Sequence, residues 1–127
     1  MIILKMRKLK KKDYKNFKLL INQFKKTDFS KKHFKRYLNK NYVVVIKLDN
    51  KLIGAGTIIF EQKLIHNYGT VAHIEDIIIS EEYRGKGYGS LLLKYLVNIS
   101  IKKKCYKTIL NCSEKIENFY KKNGFIK

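Results

Sequence analysis

One hexapeptide, Arg84-Gly85-Lys86-Gly87-Tyr88-Gly89, constrains this chain more than any other stretch. It follows an apolar run, His73-Ile74-Glu75-Asp76-Ile77-Ile78-Ile79, and precedes a helical pattern from Leu91 to Ile101. The order is therefore strand, glycine-rich turn, helix. Alternating glycines carry no side chain to keep a ligand off the backbone. Their N–H groups can converge at the positive end of the next helix, where phosphates bind well. Arg84 and Lys86 add charge at the same spot, so the stretch reads as a pyrophosphate cradle. A plain glycine-rich turn would need the same residues, and spacing narrows the choice. A Walker loop requires Gly-Lys-Ser/Thr after glycine and four residues, but the position five after Gly85 is Ser90. The dinucleotide fingerprint requires a third glycine three after the second, but Gly89 follows Gly87 by two.

What remains is Arg-x-x-Gly-x-Gly at a strand-to-helix turn. That pattern resembles the acetyl-CoA pyrophosphate loop of the GCN5-related N-acetyltransferase superfamily. A chain of 127 residues suits a single domain, 1–127, with one core. Its 29 basic and 10 acidic residues leave a net charge of +19, which on its own would suggest a polyanion partner. Only Arg7, Arg36 and Arg84 are arginine, however, and Pro and Trp are absent. Lysine filling any solvated position explains the surplus. A weak, salt-sensitive affinity for polyanions is expected, with no specific nucleic-acid partner. No aromatic–basic interleaving suited to base stacking is present.

Cys105 and Cys112 lie seven apart on one expected strand and point to opposite faces, so they cannot pair with each other. Both read as buried thiols in a reducing compartment. No zinc spacing occurs, and no metal is expected. The opening Met1-Ile2-Ile3-Leu4 is too short for a signal segment, and no apolar run reaches membrane-span length. The expectation is a cytoplasmic protein with no membrane partner.

In order, residues 2–8 read as a strand, and Asp13 opens a helix with Tyr14, Phe17, Leu20, Ile21 and Phe24 on one face. Ser30 caps a second helix carrying Phe34, Tyr37 and Leu38. Val43 to Ile46 is a buried strand, Asp49-Asn50-Lys51 a turn, and Leu52 to Glu61 the return strand of a hairpin. Gly54 and Gly56 suggest that something approaches closely there. Residues 63–70 are polar, 71–79 form the central strand, and the following helix buries Leu92, Tyr95, Leu96 and Ile99. Tyr106 to Cys112 is another strand. Ser113 caps a last helix with Ile116, Phe119 and Tyr120 inward, which Gly124 ends. The expected order, β-α-α-β-β-β-α-β-α, is an α/β mixed sheet with one parallel step across the crossover helix. Strands splayed at that step would open a cleft above the glycine loop.

Alternation along the central strand puts His73 and Glu75 on one face and Asp76 on the other. An ion pair with the surrounding lysines is expected for Glu75 or Asp76. Tyr120 is either core or a phenol aimed at a leaving thiolate. Reference pKa values of about 10 and about 8.5 make that proton transfer feasible. Cys112 as an acyl-accepting nucleophile lacks an activating base nearby in sequence.

The blocks His73-Ile74-Glu75-Asp76-Ile77, Tyr83 to Gly89, Cys105-Tyr106-Lys107 and Phe119-Tyr120-Lys121-Lys122-Asn123-Gly124-Phe125 together resemble the eukaryotic-type glucosamine-6-phosphate N-acetyltransferase family. The likeness is dense from Lys63 to Phe125. It implies acetyl transfer from acetyl-CoA to the amine of D-glucosamine 6-phosphate, a step towards UDP-N-acetylglucosamine, by direct transfer in a homodimer. It also implies that Lys63, His66, Glu75 and Asp76 contact the sugar phosphate, with Asn111 and Cys112 near the amine. Ile77, Ile78 and Ile79 would offer backbone groups to the acetyl carbonyl and pantetheine. Arg84, Gly85, Lys86, Gly87, Tyr88 and Gly89 would hold the pyrophosphate, with Tyr120 beside the sulfur. Three departures stand out. Asn111 replaces an acidic residue, Ile116 replaces an asparagine, and the sequence ends at Lys127 before the family's final strand. They leave room for another amine acceptor (polyamine, peptide or other amino sugar), for an acetyl-CoA binder without activity, or for a basic nucleic-acid module.

Overall fold

The computed structural model describes residues 3–127. The expected strand start at residue 2 lies outside them. Five strands, β1 (Leu4–Lys8), β2 (Tyr42–Leu48), β3 (Lys51–Gln62), β4 (Thr70–Ile79) and β5 (Lys107–Leu110), form one sheet in the order β1-β2-β3-β4-β5. The first four are antiparallel in succession, and β5 lies parallel to β4, as the crossover helix requires.

Helices α1 (Tyr14–Ile21) and α2 (Lys31–Lys40) cover one face. There Phe17, Leu20 and Phe34 pack on Val43, Val45, Leu52 and Ala55. Helix α4 (Tyr88–Lys102) covers the other face, where Leu92, Leu93 and Leu96 meet Val44, Ile46, Ile53, Ile58, Ala72 and Ile74. Burial on both faces explains why Val43 to Ile46 is an unbroken apolar run. A Cβ on Gly56 would stand 2.7 Å from Leu96 Cδ1, so the close approach expected at that glycine is the docking of α4.

Local signals match the elements unevenly. Ser30 Oγ accepts from His33 N at 3.1 Å and caps α2 as expected. Asp13 stands before α1 but makes no cap bond. Its carboxylate takes two bonds from Arg7, 2.7 and 2.9 Å, and one from Lys10 N. Helix α1 ends at Ile21, so Phe24 lies beyond it and is partly exposed. The last helix, α5 (Glu117–Lys122), starts after a 3-10 turn at Glu114–Ile116. Ser113 precedes that turn without a side-chain cap bond, and Ile116 is exposed rather than inward. Gly124 adopts φ 92° just past α5.

Strand β5 is much shorter than the expected Tyr106–Cys112. Its pairing with β4 runs only from Val71–Lys107 to Ile74–Leu110, and beyond that the two strands diverge. Cys105 and Cys112 therefore do not share a strand. Cys105 is half-buried and Cys112 exposed, which corrects the reading of both as buried thiols. The connection Ile65–Tyr68, labelled α3, is a single turn whose residues His66, Asn67 and Tyr68 have φ of 55°, 57° and 61°. Among the described residues, no helix is long and apolar enough to cross a membrane.

Candidate active site

The divergence of β4 from β5 begins at a bulge. Thr57 faces Glu75 and Ala55 faces Ile78, so Gly56 stands opposite both Asp76 and Ile77. Asp76 takes the extra place with φ 51°. This breaks the simple alternation expected along the strand. Ile74, Ile77 and Ile79 share the α4 face, while Ile78 turns to α1 and α2. Asp76 is left exposed. Neither Glu75 nor Asp76 takes part in an ion pair among the described residues, contrary to expectation. The carboxylate that does is Glu61, which holds His73 at 2.9 Å and Lys63 at 3.0 Å. Bonding to His73, then to Lys63, lowers the Glu61 pKa.

Beyond the bulge, Ile77, Ile78 and Ile79 form one wall of a groove of about 530 Å³. Gly85, Gly87, Tyr88 and Gly89 form its floor and Tyr120 its far wall. Gly85 and Gly87 have φ of 74° and 89°, in the left-handed region that glycine enters at no steric cost. The places their Cβ atoms would take have nothing within 4 Å, so the turn is open to the groove. Gly87 caps α4, whose first N–H groups lack partners within the helix. Gly89 serves differently: its missing Cβ would lie 3.4 Å from Phe119, so it admits α5 against α4. Asn123 Nδ2 reinforces that contact by donating to Ser90 Oγ at 3.3 Å.

Arg84 is not free in the turn. Its Nε donates to Ile79 O at 3.0 Å, and its guanidinium lies 5.0 Å from the Phe24 ring centre. Gln23 Oε1 accepts from Ser80 Oγ and Glu81 N, tying the end of α1 to the same turn. Lys86 sits over the Tyr83 ring. Phe24, Phe119 and Ile116 also line the groove, and sequence reading missed them as site residues. Their spacing gave only a core signal.

Behind Tyr120 lies a second recess, of about 510 Å³, lined by Thr108, Leu110, Asn111 and Cys112. Tyr120 is thus the ring common to both hollows. It is held edge-on between Phe119 and Phe125, at centroid distances of 5.1 and 6.2 Å. Burial, with a smaller contribution from Cys112, pushes its phenol above the ordinary value, so it keeps its proton at neutral pH. Asn111 and Cys112 are exposed at the recess.

The residues expected around a sugar phosphate fall into two groups. Glu75 and Asp76 lie at the bulge, whereas Lys63 and His66 lie in the β3–β4 connection. Five residue steps along β4 lead from Thr70 to Glu75, about 16 Å of strand. The Lys63 ammonium reaches back to Glu61, which also holds His73, whereas His66 stays at the far end of β4 against Tyr106, apart from Glu75 and Asp76. In the connection, His66 lies against Tyr106 with ring centroids 4.3 Å apart and planes tilted by 33°. Three successive non-glycine residues in left-handed conformation cost about 1–2 kcal/mol each, which marks the turn as one its surroundings must enforce. No group of three His, Cys, Asp or Glu able to hold a metal converges among the described residues.

Residues 5–125 match the model of the acetyltransferase (GNAT) family. The chain is 34% identical to glucosamine 6-phosphate N-acetyltransferase 1 of Dictyostelium discoideum, over 87% of this chain and 76% of that protein. It is 34% identical to the glucosamine 6-phosphate N-acetyltransferase of Candida albicans, over 94% and 87%. The crystal structure of the Arabidopsis thaliana glucosamine-6-phosphate N-acetyltransferase superposes with a TM-score of 0.90 at 29% identity, covering 98% of this chain and 92% of that one.

Proposed function

This chain belongs to the acetyltransferase (GNAT) family, and from that premise we propose that it moves the acetyl group of acetyl-CoA onto the amine of D-glucosamine 6-phosphate. The observation that carries the reading is the position of Tyr120, one phenol facing both the glycine-floored groove and the recess of Asn111 and Cys112. Donor and acceptor would meet there without a covalent enzyme intermediate. The groove fits the donor: open left-handed glycines at the start of α4 suit a diphosphate, and diverging β4 leaves backbone groups of residues 77–79 for the thioester and pantetheine.

In the reaction, the neutral sugar nitrogen forms a bond to the thioester carbon. Backbone N–H groups on the 77–79 stretch stabilise the charge growing on the carbonyl oxygen, a contact of a few kcal/mol. The C–S bond then breaks, and the sulfur takes the proton of Tyr120. The nitrogen loses its extra proton to water or to the backbone carbonyl at Asn111, and the phenol is reprotonated from solvent. The product is N-acetyl-D-glucosamine 6-phosphate, a step towards UDP-N-acetylglucosamine in the cytoplasm. Arg84, freed from Ile79 O, and Lys86 would meet the diphosphate.

The gap between His66 and Glu75–Asp76 supports a homodimer, in which a second copy completes the sugar-phosphate site. Thiol release by the purified chain, with glucosamine 6-phosphate as acceptor, tests the reading alongside light scattering for mass. Release with this acceptor from a dimer is expected. A monomer that ignores the amino sugar phosphate but acetylates a polyamine or peptide amine would replace it with the second reading, the same donor chemistry on another acceptor.

A further inference from the structure

The connection between β3 and β4 is held in a form its own sequence does not favour. His66, Asn67 and Tyr68 are all left-handed, and none is glycine. Asparagine and histidine enter that region more readily than most residues, but tyrosine has little reason to, and three such residues in succession are unusual. Two side chains outside the turn enforce it. Gln62 Nε2 donates to Tyr68 O at 2.6 Å and to Gly69 O at 3.1 Å, and thereby gathers the carbonyls at the turn's end. Tyr106, just before β5, lies against the turn from the other side. Its N–H donates to Thr70 O at 3.1 Å, and its ring lies tilted against the His66 imidazole, centroids 4.3 Å apart. Gly69 makes room for that ring, since a Cβ there would come within 2.5 Å of Tyr106 Cδ1. Lys63 N donates to Gly69 O at 2.8 Å, closing the loop on the residue that also reaches Glu61.

We propose that Gln62 and Tyr106 are positioning residues for the acceptor's phosphate, holding the 64–69 connection, with its left-handed residues 66–68, in the form that sets the direction of His66 and Lys63. The inference rests on the reading of Lys63 and His66 as phosphate-binding. Neither Gln62 nor Tyr106 touches the reacting atoms. Gln62 is exposed, so its amide is not needed to fill a core. The Tyr106 hydroxyl makes no hydrogen bond among the described residues, so the ring alone acts.

Steady-state thiol release by the full chain separates this role from general damage. Gln62→Glu keeps the shape but replaces a donor with a charge facing carbonyl oxygens. It should raise KM for glucosamine 6-phosphate roughly tenfold, the loss expected when a hydrogen bond of this kind is removed. The kcat and the KM for acetyl-CoA should stay within about twofold. Tyr106→Ala should do the same, and Tyr106→Phe should restore the wild-type KM. An unchanged KM in Gln62→Glu, or equal damage to both substrates' constants, overturns the proposal. A separate measurement does not depend on turnover. The NMR signals of the His66 ring, assigned by comparison with His66→Gln, are followed as inorganic phosphate is added. They should shift in the wild type and require about ten times more phosphate in Gln62→Glu and Tyr106→Ala. If the wild type releases no thiol with glucosamine 6-phosphate but this titration behaves as stated, the acceptor assignment falls and the positioning role stands. If His66 ignores phosphate in the wild type, the positioning role falls, whatever the turnover.

Discussion

Replacing Tyr120 with phenylalanine removes one oxygen and leaves the ring between Phe119 and Phe125. The fold of α5 should therefore survive, and the change isolates the proton. General acid assistance is worth about 10²–10⁴-fold. The lower end applies here, because a thiolate with a reference pKa of about 8.5 is a tolerable leaving group without help. A loss of about 100-fold in kcat corresponds to about 2.7 kcal/mol of barrier. The groove floor and the 77–79 wall are untouched, so KM for acetyl-CoA should stay within about twofold. The pH profile adds a second readout. Burial first, and Cys112 second, raise the Tyr120 pKa, and the protonated form is the donor. Its contribution is present below that raised value and lost above it. The wild-type rate should then fall only above about pH 10, and Tyr120→Phe should lack that alkaline fall. Turnover within about threefold of wild type, or an acetyl-CoA KM that rises in step with the kcat loss, would refute the assignment.

Three further outcomes are expected. Arg84→Ala should raise KM for acetyl-CoA about tenfold, the scale of one charged contact to phosphate, with kcat little changed; an unaltered KM would place the diphosphate elsewhere. Gly56→Ala should cost about 1–3 kcal/mol in urea unfolding, because the new Cβ lands 2.7 Å from buried Leu96, and wild-type stability would show that α4 can yield there. Asp13→Asn should cost about 1.5–3 kcal/mol at pH 7. Burial acts to raise the Asp13 pKa, but bonds from Arg7 and Lys10 outweigh it and lower it. The stabilisation is thus present above the unfolded pKa of about 4 and is lost as pH falls through the lower folded value; a variant that keeps the wild-type acid melting curve would remove Asp13 from that role.

The parts of the fold legible in the sequence are those in which one residue type meets one local need. Ser30 capping α2, the glycine turn entering α4 and the parallel step across it all follow from neighbours in the chain. The bulge at Asp76 was not legible, because strict alternation predicts an ordinary strand and only the opposing Gly56 betrays the extra residue. The left-handed turn at His66 to Tyr68 left no mark either, since the residues enforcing it, Gln62 and Tyr106, are distant or unremarkable in sequence. The charge of Arg84 at the turn is legible, but its partners Ile79 O and Phe24 are not, since both depend on tertiary placement. Cys112 is exposed because β5 ends at Leu110, and that end is set by divergence from β4 rather than by any residue of the local sequence.

Only four residues of β5 pair with β4, helped by the Tyr106 N–H on Thr70 O. The Tyr120 phenol, the proposed proton donor, hangs on the segment that follows, steadied by Phe119 near Gly89, by Asn123 on Ser90 and by the packing of Phe119, Tyr120 and Phe125 on the core. Such a tail can peel away while the strands beneath it stay closed. Mild urea would then silence the enzyme before its helices melt, and the first amide protons to exchange would be those downstream of Leu110.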